Sequence, residues 1–131
     1  QAVDLNYYNH ITGLKSDIRL IAEWKYQKVD NATYYKADGT PYTFNNTPST
    51  YYVAGTIRPV HVDNVFLHNL EFAARYSDFT RPELAPWGGD NTHQFAVSLD
   101  YWLKWNSLVK ITYQTQKDEP KAFFTQFVFG F

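Results

Sequence analysis

A chain of 131 residues is long enough for one domain, and its net charge of −1 gives no basic field to hold nucleic acid. With no cysteine it has neither disulfides nor thiolate chemistry. A mean hydropathy of −0.47, without any long apolar run, excludes a transmembrane helix but leaves room for strands that are polar on one side.

In chain order, Val3, Leu5 and Tyr7 alternate with Asp4, Asn6 and Tyr8, which predicts a first strand near residues 2–9 and a turn at 9–13. Ile18, Leu20, Ala22, Trp24 and Tyr26 then oppose Asp17, Arg19, Glu23, Lys25 and Gln27, with Ile21 out of pattern. A period of two over this length is that of a strand, not a helix. From about residue 30 to 50 the composition turns to Asn, Thr, Asp, Gly and Pro, the mark of a long loop; Tyr34, Tyr35, Tyr42 and Phe44 suggest a hairpin extension within it. Val53, Gly55 and Ile57 against Tyr52, Ala54, Thr56 and Arg58 give a third strand, stopped by Pro59. A short turn over 60–64 is expected to lead into a fourth strand beginning at Phe66 and carrying Leu70, Phe72, Ala74 and Tyr76 on one face.

A second long loop is predicted over 78–92. His93, Phe95, Val97, Leu99, Tyr101 and Leu103 form one face of a fifth strand, and a tight turn at Trp105 leads to Val109, Ile111 and Tyr113 in a sixth. After a polar loop at 117–121, the segment 122–131 (AFFTQFVFGF) places Phe123, Phe127, Phe129 and Phe131 on one face of a seventh. The strands are about nine to thirteen residues long, near the ~9–11 that a tilted strand needs to cross a bilayer. The connections are expected to alternate short and long. Aromatics at the strand ends, namely Tyr7, Trp24, Tyr26, Tyr51, Tyr76, Tyr101, Trp105, Tyr113 and Phe131, suit the two interfacial girdles of a membrane barrel. The competing reading is a soluble antiparallel sandwich or barrel with its apolar face turned inward.

The segments LEFAARYS at 70–77, FAVSLDYW at 95–102, VKITY at 109–113 and the Phe-rich end resemble the C-terminal strands of the bacterial phosphate-selective porin O and P family. The likeness covers about residues 67–131 and is one of pattern, much of it shared by other porin-like families. It implies an all-β antiparallel transmembrane barrel in the Gram-negative outer membrane, with a periplasmic C-terminus. It also implies passive diffusion of small hydrophilic solutes or anions, and no phosphate-binding residue carries over. On that orientation the loops near 30–50 and 78–92 are extracellular. Seven strands are an odd number for a bacterial barrel, and the chain has no Met and no signal peptide. The lack of Met and signal peptide suggests a processed or partial product, and the odd count points to the C-terminal part of a larger even-stranded barrel; a misread first strand, or completion by other chains, are the alternatives.

The polar faces supply the expected lumen wall: Arg19, Lys25, Arg58, Arg75, Lys104 and Lys110, against Asp4, Asp17, Glu23, Glu71 and Asp100. Mixed signs suit a wet, weakly selective pore, since strong selection needs rings of one sign; the simpler role for any one of them is pairing across strands. No nucleophile elbow or triad pattern appears, so no enzyme is expected. His10, His61, His68 and His93 lack metal-ligand spacing, and neither metal nor cofactor is expected. The expected partners are the outer-membrane lipid bilayer, the solutes, and a homo-oligomer or larger envelope complex. An alternative function is a structural or docking barrel subunit, with Tyr34, Tyr35, Tyr42, Phe44 and Trp87 as loop anchors.

Overall fold

The computed structural model describes residues 1–30, 33–86 and 90–130. Its main body is one antiparallel sheet of seven strands: β1 (Ala2–Ile11), β2 (Ser16–Tyr26), β5 (Ser49–Arg58), β6 (Leu70–Thr80), β7 (Thr92–Lys104), β8 (Ser107–Gln116) and β9 (Ala122–Phe129). Each pairs with the next in that order, so the sheet is an open meander with β1 and β9 at its two edges. The strands run from 8 to 13 residues, as their alternating patterns predict. No helix among the described residues is long and apolar enough to cross a membrane.

Register carries the alternation unbroken from strand to strand. Ile18 lies opposite Ile57, Ile57 opposite Phe72, Phe72 opposite Leu99, and Leu99 opposite Ile111. One face of the sheet is therefore apolar almost throughout and the other polar, because a slip of one residue would exchange every side chain between them.

Three boundaries differ from the sequence reading. β1 continues through Ile11, and the first turn is a 3-10 turn over Thr12–Leu14 closed by Lys15 in the left-handed region (φ 49°). Phe66 does not open a strand: Val65–His68 form a single helical turn, α1, capped where Asn64 Oδ1 accepts from the Leu67 N–H at 3.1 Å. Local capping outcompetes the alternating pattern there, so His68 leaves the sheet and the short turn becomes a connection over residues 59–69. β6 runs on to Thr80, so the second long loop shrinks to 81–91 and the strict alternation of short and long connections is lost.

The loop over 27–48 builds its own hairpin, β3 (Tyr34–Tyr35) with β4 (Pro41–Tyr42), apart from the main sheet. Gly39 at φ +81° makes its turn, and the Thr40 N–H donates to Asp38 Oδ1 at 2.9 Å, which holds that carboxyl below its usual range. Phe44, 5% exposed, packs with Tyr34 beneath this hairpin.

The packing is inverted relative to a water-soluble sheet protein. The buried apolar residues are only Phe44, Ala85 and Leu108 among those described. The accessible surface is 9435 Å², against about 7100 Å² expected for a folded monomer of this mass. An open sheet exposes more than a closed fold, and its apolar face is part of that surface: Leu5, Leu20, Val53, Phe72, Leu99, Phe123 and Phe127 are all exposed. In β7 the polar side is the sheltered one: Ser98 and Asp100 are 6% and 4% exposed, while Leu99 between them is 47% exposed.

Candidate functional site

The candidate site is the polar, hollow face of the sheet. Side chains from β5 to β9 converge on a hollow of about 490 Å³ lined by Thr56, Arg75, Ser98, Lys110, Gln114 and Gln126, among others. Its floor is made of small residues, Ala54, Ala73 and Ala96, because Arg75 pairs in register with Ala54 on one side and Ala96 on the other. Small neighbours leave the Arg75 guanidinium free to reach over to β7, where its Nη2 donates to Gln94 Oε1 at 2.7 Å. Gln94 Nε2 in turn donates to Gln116 Oε1 at 3.2 Å.

Lower on the same face, Lys110 Nζ donates to Asp100 Oδ2 at 2.9 Å across the β7–β8 pair. Asp100 Oδ1 and Thr112 Oγ1 are buried without a protein partner. Glu71, opposite Asp100, accepts from Trp102 Nε1 at 2.9 Å, and the Arg58 guanidinium lies 5.0 Å from the Trp102 ring centroid. Arg58 Nε also donates to the His68 carbonyl at 3.3 Å.

Of the residues expected to form the wall, Arg19, Glu23, Lys25, Arg58, Glu71, Arg75, Asp100 and Lys110 share this face by register, together with Asp4 and Asp17. Lys104 does not. A bulge between Trp102 and Lys104 sets Lys104 opposite Ser107, which has the parity of Val109 and Ile111 on the apolar face. Without it the face carries equal numbers of cations and carboxylates. Two pairs neutralise locally, Lys110 with Asp100 and Lys25 with Glu23. Arg19, Arg58 and Arg75 form no ion pair among the described residues; Arg19 Nε donates to Asn6 Oδ1 at 3.3 Å. Cross-strand pairing to carboxylates thus accounts for Lys110 but not for the arginines.

The opposite face bears the aromatic rows. At the end of the sheet that carries the 27–48 and 81–91 connections lie Trp24, Tyr26, Tyr51, Tyr76 and Tyr113. Trp24 stacks on Tyr26 at 6.1 Å, Tyr51 meets Tyr76 at 6.0 Å, and Tyr113 meets Phe123 at 6.2 Å. At the other end are Tyr7, Tyr101 and Trp105, and Phe66 of α1 packs on Tyr101 at 5.4 Å. Phe66 lies in the helical turn and not in a strand, and it joins this row from there. Phe131 and Trp87 lie outside the described residues. Phe95, opposite Tyr76 of the first row, and Tyr101 of the second are six residues apart on β7, about 20 Å along the strand.

Two features escaped the sequence reading. His93 pairs through Nδ1 with the Asp78 carboxylate, which is 8% exposed at the rim of the apolar face; both had been placed at the borders of a loop. His10, Asp17 and His61 come together at the opposite end of the sheet, with one ligand-type atom from each within 4.8 Å of the others. Ending β1 at Asn9 hid that His10 lies directly opposite Asp17 in the first hairpin.

Of the loop aromatics, Tyr34, Tyr42 and Phe44 are spent on the hairpin's own packing, and Tyr35 is the exposed one at 71%. No protein-family model, curated protein or solved structure matches the chain.

Proposed function

We propose that the seven strands are a section of the wall of an outer-membrane β-barrel, with the apolar face against lipid and the polar face lining a water-filled path for small hydrophilic solutes. The observation that carries this reading is the inversion of the two faces: Leu99 is exposed while its neighbours Ser98 and Asp100 are buried. Water penalises such a sheet and lipid rewards it, because an apolar patch larger than a few hundred Å² on a soluble monomer marks a surface that is normally covered. Two aromatic rows flanking an aliphatic band agree with the same placement. The resemblance of residues 70–77, 95–102, 109–113 and the Phe-rich end to the phosphate-selective porin O and P family fits it too, and puts the end of β9 in the periplasm.

The unpaired edges of β1 and β9 then require further strands. Each unsatisfied backbone group in hydrocarbon costs several kcal/mol, and bacterial barrels close with an even strand count. Strands from more of the same polypeptide, or from other copies, complete the barrel in this reading. With Lys104 off the polar face and the charges balanced, the path discriminates weakly between ions. The three arginines without an ion pair are matched by Asp4, Asp17 and Glu71, none of which pairs with Lys or Arg, so this section of wall adds no strong bias of either sign.

Stepwise conductance in a planar bilayer tests the proposal. Soluble recovery from the periplasm, or insertion without current, contradicts it. Insertion without current favours a second reading, a docking subunit of an envelope assembly; the self-packed β3–β4 hairpin, which presents the exposed Tyr35, is the feature that speaks for it.

A further inference from the structure

We propose that His10, Asp17 and His61 form a binding site for a divalent transition-metal ion, of which Zn²⁺ is the chemical type. The three donors come from three segments: β1, β2 and the 59–69 connection. His10 Nδ1 lies 2.8 Å from Asp17 Oδ1, and the imidazoles of His10 and His61 meet edge to face with centroids 4.4 Å apart. One ligand-type atom from each residue lies within 4.8 Å of the others. Donors around a tetrahedral Zn²⁺ sit about 3.4 Å apart, given bonds of about 2.0–2.2 Å.

The surroundings are those of a held ligand set. The His61 N–H donates to the Lys15 carbonyl at 3.1 Å, which fixes the 59–69 connection against the first hairpin. Tyr8 Oη donates to Asp17 Oδ2, leaving Oδ1 as the oxygen turned toward the imidazoles. Such an outer partner orients a ligating carboxylate. Arg58, the cross-strand neighbour of Asp17, is drawn away to the His68 carbonyl and the Trp102 ring, so its charge does not occupy the site. The side chains of His10 and Asp17 are 35% and 23% exposed, which leaves an entry path and room for water as a further ligand. Two imidazoles and one carboxylate suit Zn²⁺, Cu²⁺ or Ni²⁺ rather than Ca²⁺ or Mg²⁺, which prefer all-oxygen shells.

The ion joins the first hairpin to the 59–69 connection and places its charge beside a hollow lined by Asn6, Arg19, Arg58 and Glu71. The site stands whether or not the sheet conducts. Zn²⁺ titration of the full chain by calorimetry, repeated with Co²⁺ to read ligand-field spectra, tests it. One ion per chain is expected. His61→Ala, in an exposed connection where folding is undisturbed, and His10→Ala should each weaken binding more than the roughly 10–100-fold that loss of an outer partner costs. Tyr8→Phe should fall within that lesser range. His93→Ala, which removes the other His–Asp contact, should bind as the unaltered protein does. Absence of stoichiometric binding, retention of affinity in His61→Ala, or equal loss in His93→Ala overturns the proposal.

Discussion

Leu99→Arg separates a lipid-facing sheet from a solvent-facing one. Leu99 lies one residue from the centre of β7, 47% exposed, with Phe72 and Ile111 opposite it. Against hydrocarbon near the midplane an arginine there costs about 2–4 kcal/mol. In water the same exposed change stays within about 0.5 kcal/mol of neutral. Depth gives an internal control. Leu70 opens β6 and pairs with Tyr101 in an aromatic row, so Leu70→Arg sits at the interface and should cost only about 0–1 kcal/mol. The two variants should therefore differ by about 2–3 kcal/mol, roughly 30- to 150-fold in the folding equilibrium. Glu71→Gln, on the polar face beside Leu70, should cost less than about 1 kcal/mol, because the amide oxygen still accepts from Trp102 Nε1. Reversible guanidinium unfolding from lipid vesicles, followed by tryptophan emission, gives the three values by linear extrapolation. Equal costs at Leu99 and Leu70, or both near zero, would refute the assignment of the apolar face to lipid.

Lys110→Ala removes the cation from Asp100, which is 4% exposed with one oxygen already unpartnered, and should destabilise by about 1–3 kcal/mol; adding Asp100→Asn should recover part of that loss in the same assay. Asn106→Ala deletes the Nδ2 bond to the Gly130 carbonyl at 3.0 Å while sparing the backbone bond from Gly130 N–H, and should cost about 1 kcal/mol, read as earlier unfolding. Arg75→Gln combined with Lys110→Gln should move the reversal potential toward cations under a salt gradient without abolishing conductance, and an unchanged potential would remove these two side chains from the conducting path.

Alternation made most of the sheet legible. In β2 and β7 the apolar positions recur at every second residue from Ile18 to Tyr26 and from Phe95 to Leu103, with Ile21 out of pattern, and tertiary packing had no reason to override a pattern that long. What failed was local. Phe66 and His68 continue the alternation of β6 on paper, but Asn64 caps a helical turn, and one side-chain hydrogen bond decides four residues. Lys104 has the parity of Asp100 and Trp102 in the sequence, yet a bulge beside a two-residue turn adds one residue and reverses its side. Bulges leave no compositional trace in a strand rich in aromatics at its end. The His10, Asp17 and His61 cluster was hidden for a third reason. Metal-ligand spacing is readable when donors lie on one helix or one loop, whereas these meet across a hairpin and a separate connection. Only the register of β1 against β2, set by where the 3-10 turn falls, places His10 opposite Asp17. A turn misplaced by two residues is therefore enough to conceal a site while leaving the fold reading intact, because the fold depends on parity and the site depends on absolute register.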